Sequence, residues 1–110
     1  MIPLVILEDV IARLTRETFL KNREWHGKDV AETTLNGVMV TVAKEGEAIT
    51  VKFEKYAGSW GFLAAADTIA MAPEHPVYRK ADELHMLASE AARRNVEDPA
   101  RKLALELLGS

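Results

Sequence analysis

The dipeptide Asn36-Gly37 constrains the fold of this chain more than any other feature of its sequence. Both central residues of a type I′ hairpin turn need a positive φ, and Asn-Gly is the pair that supplies it most readily. Apolar and polar residues alternate on both sides of the dipeptide, as they do in half-buried strands. The sequence therefore predicts an antiparallel hairpin in which Leu35 lies opposite Val38.

A second hairpin is predicted nine residues later, where Glu45-Gly46 separates two further alternating runs. A two-residue turn there places Val42 opposite Ile49 and Lys44 opposite Glu47. Because side chains alternate with a period of two, both turns must sort residues consistently if the prediction holds. They assign nine residues to one face of a three-stranded meander: Ala31, Thr33, Leu35, Val38, Val40, Val42, Ile49, Val51 and Phe53.

Helical periodicity precedes and follows this meander. From Leu4 to about Asn22, an apolar stripe recurs at three- and four-residue spacing and predicts an N-terminal helix. Over residues 57–72 two interpretations stay open. Helix propensity over Phe62-Leu63-Ala64-Ala65-Ala66 favours a helix with Ser59 as its N-cap, and a short fourth strand from Trp60 to Ala64 is the alternative.

The C-terminal third predicts two helices. Pro76 can begin the first, which carries Val77, Ala81 and Leu84 on one stripe, and Asp98-Pro99 forms an N-cap and first-turn pair for a second. We therefore predict one α+β domain spanning residues 1–110. It consists of an N-terminal helix, a three-stranded antiparallel meander and two or three C-terminal helices packed on one sheet face.

Composition excludes several functional classes. The chain has no cysteine, so disulfides and thiolate catalysis are excluded, and its net charge of −3 carries no basic footprint for nucleic acid. A helix-turn-helix at Asn95-Val96, with Arg101 and Lys102 on its second helix, is the weaker nucleic-acid hypothesis. No export signal or membrane-spanning stretch is present, so we expect a soluble cytoplasmic protein without membrane contact.

Chemical motifs are sparse. The three histidines show no metal-ligand spacing, and no cofactor fingerprint occurs, so we expect no metal and no cofactor. Asp82, His85 and Ser89 follow one another on one helix face and resemble a triad only superficially, because a triad also needs a shaped pocket and an oxyanion hole. The sequence therefore favours a protein that is not an enzyme.

Four aromatic residues are the candidate partner contacts: Trp25, Tyr56, Trp60 and Phe62. Both tryptophans lie in glycine-flanked connections, where a tryptophan either covers the edge of the core or contacts a partner. The segment from Tyr56 to Phe62 is the first place in which we expect function.

Two functional hypotheses follow. The first is a small non-catalytic protein-binding or regulatory protein of the inhibitor, immunity or phage-accessory type, whose partner is another protein. The alternative is a ligand-binding or enzymatic α+β domain with a pocket between sheet and helices, using carboxylates such as Asp67 and Glu74. A homodimer closed through one sheet edge is compatible with either hypothesis.

Overall fold

The computed structural model describes residues 2–27, 29–57 and 61–109, and gives the backbone alone at residue 62 and over most of 95–109. The α+β class is confirmed, with four strands rather than three and one C-terminal helix rather than two or three. All strands pair antiparallel in the order β1-β2-β3-β4. The elements are α1 (Leu4–Phe19), β1 (Ala31–Leu35), β2 (Val38–Glu45), β3 (Ala48–Ala57), β4 (Phe62–Met71) and α2 (Tyr78–Gly109).

The first predicted hairpin is confirmed in turn and in register. Asn36 and Gly37 have φ values of 51° and 79°, as a type I′ turn requires. Leu35 lies opposite Val38, and the pairing continues along β1 to its first residue.

The second hairpin turns one residue later than predicted, at Gly46-Glu47. Glu45 pairs with Ala48, so the predicted pairing of Lys44 with Glu47 is wrong, and Lys44 lies opposite Ile49 instead. Gly46 has φ 61° at the first central position, which is the glycine position of a type II′ turn. The error displaces β3 by two residues along β2. A displacement of two keeps every side chain on its predicted face, because the strand period is two.

Residues 62–71 form a strand, so the helical interpretation of this segment is wrong. β4 pairs with all of β3 except its first residue, from Ala57 opposite Phe62 to Ile49 opposite Met71, with an irregularity between Lys55 and Tyr56. The alanine-rich start of β4 favours a helix by intrinsic propensity. Pairing with nine residues of β3 outweighs that preference of a few tenths of a kcal/mol per residue.

α1 ends where the backbone becomes left-handed. Lys21 has φ 62°, its N–H donates to the carbonyl of Thr18, and the N–H of Asn22 donates to the carbonyl of Glu17. These two bonds form a Schellman motif, which satisfies the last carbonyls of the helix. The residues after Phe19 are therefore turned back toward the sheet and do not extend the helix.

The core lies between one face of the sheet and the two helices. The strand residues that point to one face of the sheet are buried, as expected from the predicted meander. They pack against the apolar stripes of α1 and α2. The buried apolar set contains Leu7, Ile11, Leu14, Trp25, Ala31, Val40, Val42, Ile49, Val51, Phe53, Met71, Val77, Ala81, Leu84, Ala88 and Ala92. Leu4, which the predicted stripe of α1 included, is exposed.

α2 runs without interruption from Tyr78 to Gly109, so the predicted break before Asp98-Pro99 is wrong. Proline lacks an N–H, and Pro99 therefore cannot donate to the carbonyl of Asn95, yet the helical backbone continues through both residues. The turn that a helix-turn-helix needs at Asn95-Val96 is accordingly helical. Neither α1 nor the described part of α2 has an apolar stretch long enough to cross a bilayer.

Candidate functional site

The far half of the β3–β4 hairpin is exposed on both of its faces. We call residues 55–57 and 61–66 the hairpin tip. Tyr56 is 44% exposed, Leu63 is 54% exposed, and Ala64, Ala65 and Ala66 are also exposed. Strand residues alternate between faces, so a ribbon covered by helices would show alternating burial. The tip shows none, and it therefore extends beyond the layer formed by α1 and α2.

Two of the four aromatic candidates belong to this tip. Tyr56 pairs with Leu63, and Ala57 pairs with Phe62, so the strand register brings Tyr56 and Phe62 to the same end of the hairpin. Trp60 lies outside the described residues. The sequence interpretation missed Leu63, although a large apolar residue next to Phe62 in a strand was a sign that could have identified it.

Trp25 lies in the core and belongs to no exposed surface. Its side chain is fully buried, and its Nε1–H donates to Oγ1 of Thr18 at 2.8 Å. The Thr18 hydroxyl in turn donates to the carbonyl oxygen of Leu14 at 2.6 Å. The indole therefore fastens the connection between α1 and β1 onto the helix. This is the geometry of a residue that covers the core edge, the other role considered for it.

A short hydrogen-bonded network holds Tyr56 in place on the outer face of the sheet. Its phenol O–H donates to Oε2 of Glu54 at 2.6 Å, and Nζ of Lys52 lies 3.4 Å from Oε1 of the same carboxylate. The hydrogen bond from Tyr56 is the main cause that lowers the pKa of Glu54, and the same bond raises the pKa of Tyr56. An aromatic ring held in one orientation has less rotamer freedom to lose when a partner binds.

A second exposed apolar surface, which the sequence interpretation also missed, lies on α1. Val5 and Phe19 are 71% and 72% exposed, and Ala12 lies midway between them at a spacing of seven residues. Ala12 and Phe19 line a groove of about 450 Å³ against Lys80 and Glu83 of α2. The heptad spacing outside the buried stripe was the sequence sign of this surface.

A cleft lies between the start of β1 and α2. It has a volume of about 610 Å³, and its lining includes Asp29, His85, Ser89, Glu90 and Arg93. His85 and Ser89 occupy successive turns of α2, with Nε2 and Oγ 3.3 Å apart.

The acidic member of the triad-like sequence makes a salt bridge outside this pair. Oδ1 of Asp82 lies 3.6 Å from Nζ of Lys44, which makes a salt bridge with the adjacent strand. Burial lowers the pKa of His85, and Lys44 lowers it further, while Asp82 opposes the shift. Both effects favour the neutral form of the His85 imidazole, and the nearest described serine lies on the same helix.

This arrangement lacks the parts that nucleophilic catalysis requires. A triad needs a third group that orients the imidazole, and Asp82 is bonded to Lys44 instead. The carboxylates considered for catalysis lie apart from the cleft: Asp67 accepts the N–H of Ile2 at 2.8 Å, and Glu74 is exposed in the turn before α2. Among the side chains that the structure describes, no three of His, Asp or Glu group closely enough to hold a metal ion.

The fold and the site assign the chain to an architectural class. It is a four-stranded antiparallel meander covered on one face by its N- and C-terminal helices. No protein-family model, no curated protein and no solved structure matches the chain.

Proposed function

We propose that this chain is a small non-catalytic protein-binding or regulatory protein, of the inhibitor, immunity or phage-accessory type, that contacts another protein through its hairpin tip. The observation that carries the proposal is the exposure of the tip on both faces. Beyond Lys55, which still pairs with Val38 of β2, the tip is a ribbon of two strands. Such a ribbon without a covering layer is only marginally stable in water. An ordered ribbon of this composition is the kind of surface that a partner covers. A cytoplasmic location is part of the same proposal.

Side-chain composition supports a protein partner. Over Phe62–Ala66 the tip has no charged residue, and Tyr56 adds an aromatic ring with a polar end. Tyrosine is enriched among interface residues that dominate binding energy, and an uncharged centre is typical of the buried part of an interface. A small polar ligand would need converging charged groups instead, which the described part of the tip does not offer.

The expected contribution of the tip can be worked out from its exposure. Complete burial of a Leu or a large aromatic side chain stabilises by about 2 kcal/mol, and Tyr56 and Leu63 are each about half exposed. Covering both therefore contributes about 2 kcal/mol. Truncating both to alanine should weaken binding about 30-fold, since 1.4 kcal/mol corresponds to a factor of ten.

The test begins with affinity capture from the source cell and continues with the purified partner. Titration calorimetry then compares the wild type with the double variant Tyr56→Ala, Leu63→Ala and with Trp60→Ala, Phe62→Ala. Phe19→Ala is the matched control, because it truncates an apolar residue on α1 that is more exposed, at 72%, than either Tyr56 or Leu63. The proposal requires the tip variants to lose affinity while the control retains it. If the tip variants stay folded and bind with unchanged affinity, the proposal is wrong.

The cleft beside α2 supports a second candidate, a small-ligand-binding or enzymatic domain. Its volume lies within the range of roughly 300–1,000 Å³ that is usual for ligand pockets, and it contains His85, whose pKa is lowered mainly by burial. Thermal-shift screening with small molecules tests it. A compound that raises the melting temperature of the wild type but not of His85→Gln would favour this candidate over the first.

A further inference from the structure

The two edges of the sheet differ in whether their backbone groups have partners. At the β1 edge, the N–H of His26 donates to the carbonyl of Glu32 at 2.8 Å, and the N–H of Glu32 donates to the carbonyl of His26 at 2.7 Å. Nη1 of Arg23 donates to the carbonyl of Thr34 at 2.6 Å. The outward-facing backbone of this five-residue strand is therefore occupied by the connection that precedes it.

The β4 edge has no such cover among the described residues. β4 is ten residues long, and no described residue outside β3 forms a hydrogen bond with its backbone. In an edge strand alternate residues direct their N–H and C=O groups away from the sheet, so roughly five residues of β4 present unpaired groups outward. Such a row is a template for a further strand.

The sequence of β4 has almost none of the features that prevent an edge strand from pairing with another chain. Between Phe62 and Met71 there is no lysine, arginine or proline, and Asp67 is the only charge. Asp67 pairs with Phe53, so it lies on the helix-covered face, where its carboxylate accepts the N–H of Ile2. On the open face the strand presents only Ala66, Thr68 and Ala70 over its regular part.

We propose that β4 pairs antiparallel with β4 of a second copy about a two-fold axis, so that two sheets join into one of eight strands. A strand edge is complementary to itself in this arrangement, and each copy contributes its open edge. The occupied β1 edges lie at the two ends of the joined sheet. Assembly therefore stops at the dimer instead of growing into an open-ended sheet.

The register follows from the geometry of β4. The irregularity opposite Lys55 and Tyr56 leaves residues 65–71 as the regular segment. When two identical pleated strands pair about a two-fold axis, one residue must lie opposite the same residue of the other copy. Placing Thr68 at that position pairs all seven residues of the segment. Ala66 then lies opposite Ala70, and Asp67 lies opposite Ile69, so the two carboxylates do not face each other. Two threonines at the axis can exchange a hydrogen bond.

This dimer can be tested separately from the proposed partner contact. The hairpin tip shares Ala65 and Ala66 with the paired segment 65–71, whereas Tyr56 and Leu63, which the binding test changes, lie outside that segment. Tyr56→Ala should leave the dimer intact. A monomeric wild type that still binds its partner through the tip would overturn the dimer and leave the proposed function standing.

Oligomeric state is the first test. Light scattering coupled to size-exclusion chromatography at about 100 μM, above the micromolar Kd of weak interfaces of ordinary size, should give the dimer mass. Thr68→Glu should weaken the dimer at least about tenfold, because two carboxylates would meet at the axis. Within one copy the same carboxylate faces Lys52, so the fold is retained. Thr34→Glu on the occupied β1 edge is the control and should leave the dimer unchanged.

Cysteine crosslinking tests the register directly, because the wild-type chain has no cysteine to interfere. Thr68→Cys should form a disulfide-linked dimer, since residues that face each other at the axis have Cβ atoms about 5 Å apart. Ala66→Cys should not crosslink, because its own copy lies four residues away, about 13 Å. A monomeric wild type, a dimer insensitive to Thr68→Glu, or faster crosslinking at Ala66 would each overturn the proposal.

Discussion

Gly27 lies at the most restrictive backbone position between α1 and β1. Its φ is +118°, far beyond the left-handed basin near +57° that other residues can enter. A Cβ placed there would lie 2.0 Å from the carbonyl oxygen of Val30, and this neighbour is backbone that cannot rotate away. Gly27→Ala must therefore move the chain beside the paired residues His26 and Glu32.

The cost of Gly27→Ala can be assembled from two parts. A non-glycine residue at a disallowed φ costs about 1–3 kcal/mol. Displacing the backbone also weakens the two hydrogen bonds between His26 and Glu32, each of which contributes about 1 kcal/mol. A total near 3 kcal/mol is a large part of the roughly 5–15 kcal/mol by which domains are stable, and should lower Tm by roughly 10–20 °C.

Urea unfolding followed by far-ultraviolet circular dichroism measures this free energy, with Gly46→Ala as the matched control. Gly46 has φ 61°, and a Cβ there would meet nothing within 4 Å, so its replacement carries only the left-handed penalty of about 1–2 kcal/mol. The difference between the two variants measures what the collision with Val30 and the disallowed φ add to an ordinary left-handed penalty. If Gly27→Ala costs no more than Gly46→Ala, the reasoning is refuted.

Three further predictions concern polar groups outside the core. Arg23→Ala should destabilise by about 2–3 kcal/mol in urea titrations, because its partly buried guanidinium bonds α1 to β1. Arg13→Ala, which removes an exposed pair, should cost below about 0.5 kcal/mol. Glu17 has its pKa lowered from 4.5 mainly by hydrogen bonds from Arg13 and Arg23. Its contribution is therefore present above pH 4.5 and lost as the pH falls through the folded-state pKa, and Glu17→Gln should flatten the acid loss of stability there. Glu54→Gln should lower the raised pKa of Tyr56, measured by tyrosinate absorbance in a variant whose only tyrosine is Tyr56; an unchanged titration would contradict the assigned hydrogen bond.

Much of the candidate site could be predicted from the sequence. The exposure of each aromatic candidate could not, because it depends on tertiary contacts. The glycine-flanked segment ending at Phe62 was selected because aromatic residues stood in a connection. The sequence could not distinguish Tyr56, which lies on the surface, from Trp25, which is buried. Both stand beside turn residues, and the difference is the contact of the indole with Thr18, seven residues earlier on α1.

Local patterns determined the first hairpin, the sorting of the sheet faces and the apolar stripe of α1. Each depends on a period or on a turn that needs positive φ, and neighbouring residues encode both. The same periodicity cannot detect a displacement of one strand by two residues along its neighbour. The pairing of Glu45 with Ala48 therefore depends on how β3 packs against β2 in the tertiary structure. Tertiary pairing with β3 likewise made a strand of residues 62–71 against their helical propensity. One edge of the sheet is occupied by Arg23 and His26, and the opposite edge is open among the described residues. This difference depends on contacts between segments that are not neighbours in sequence, so local sequence patterns cannot predict it.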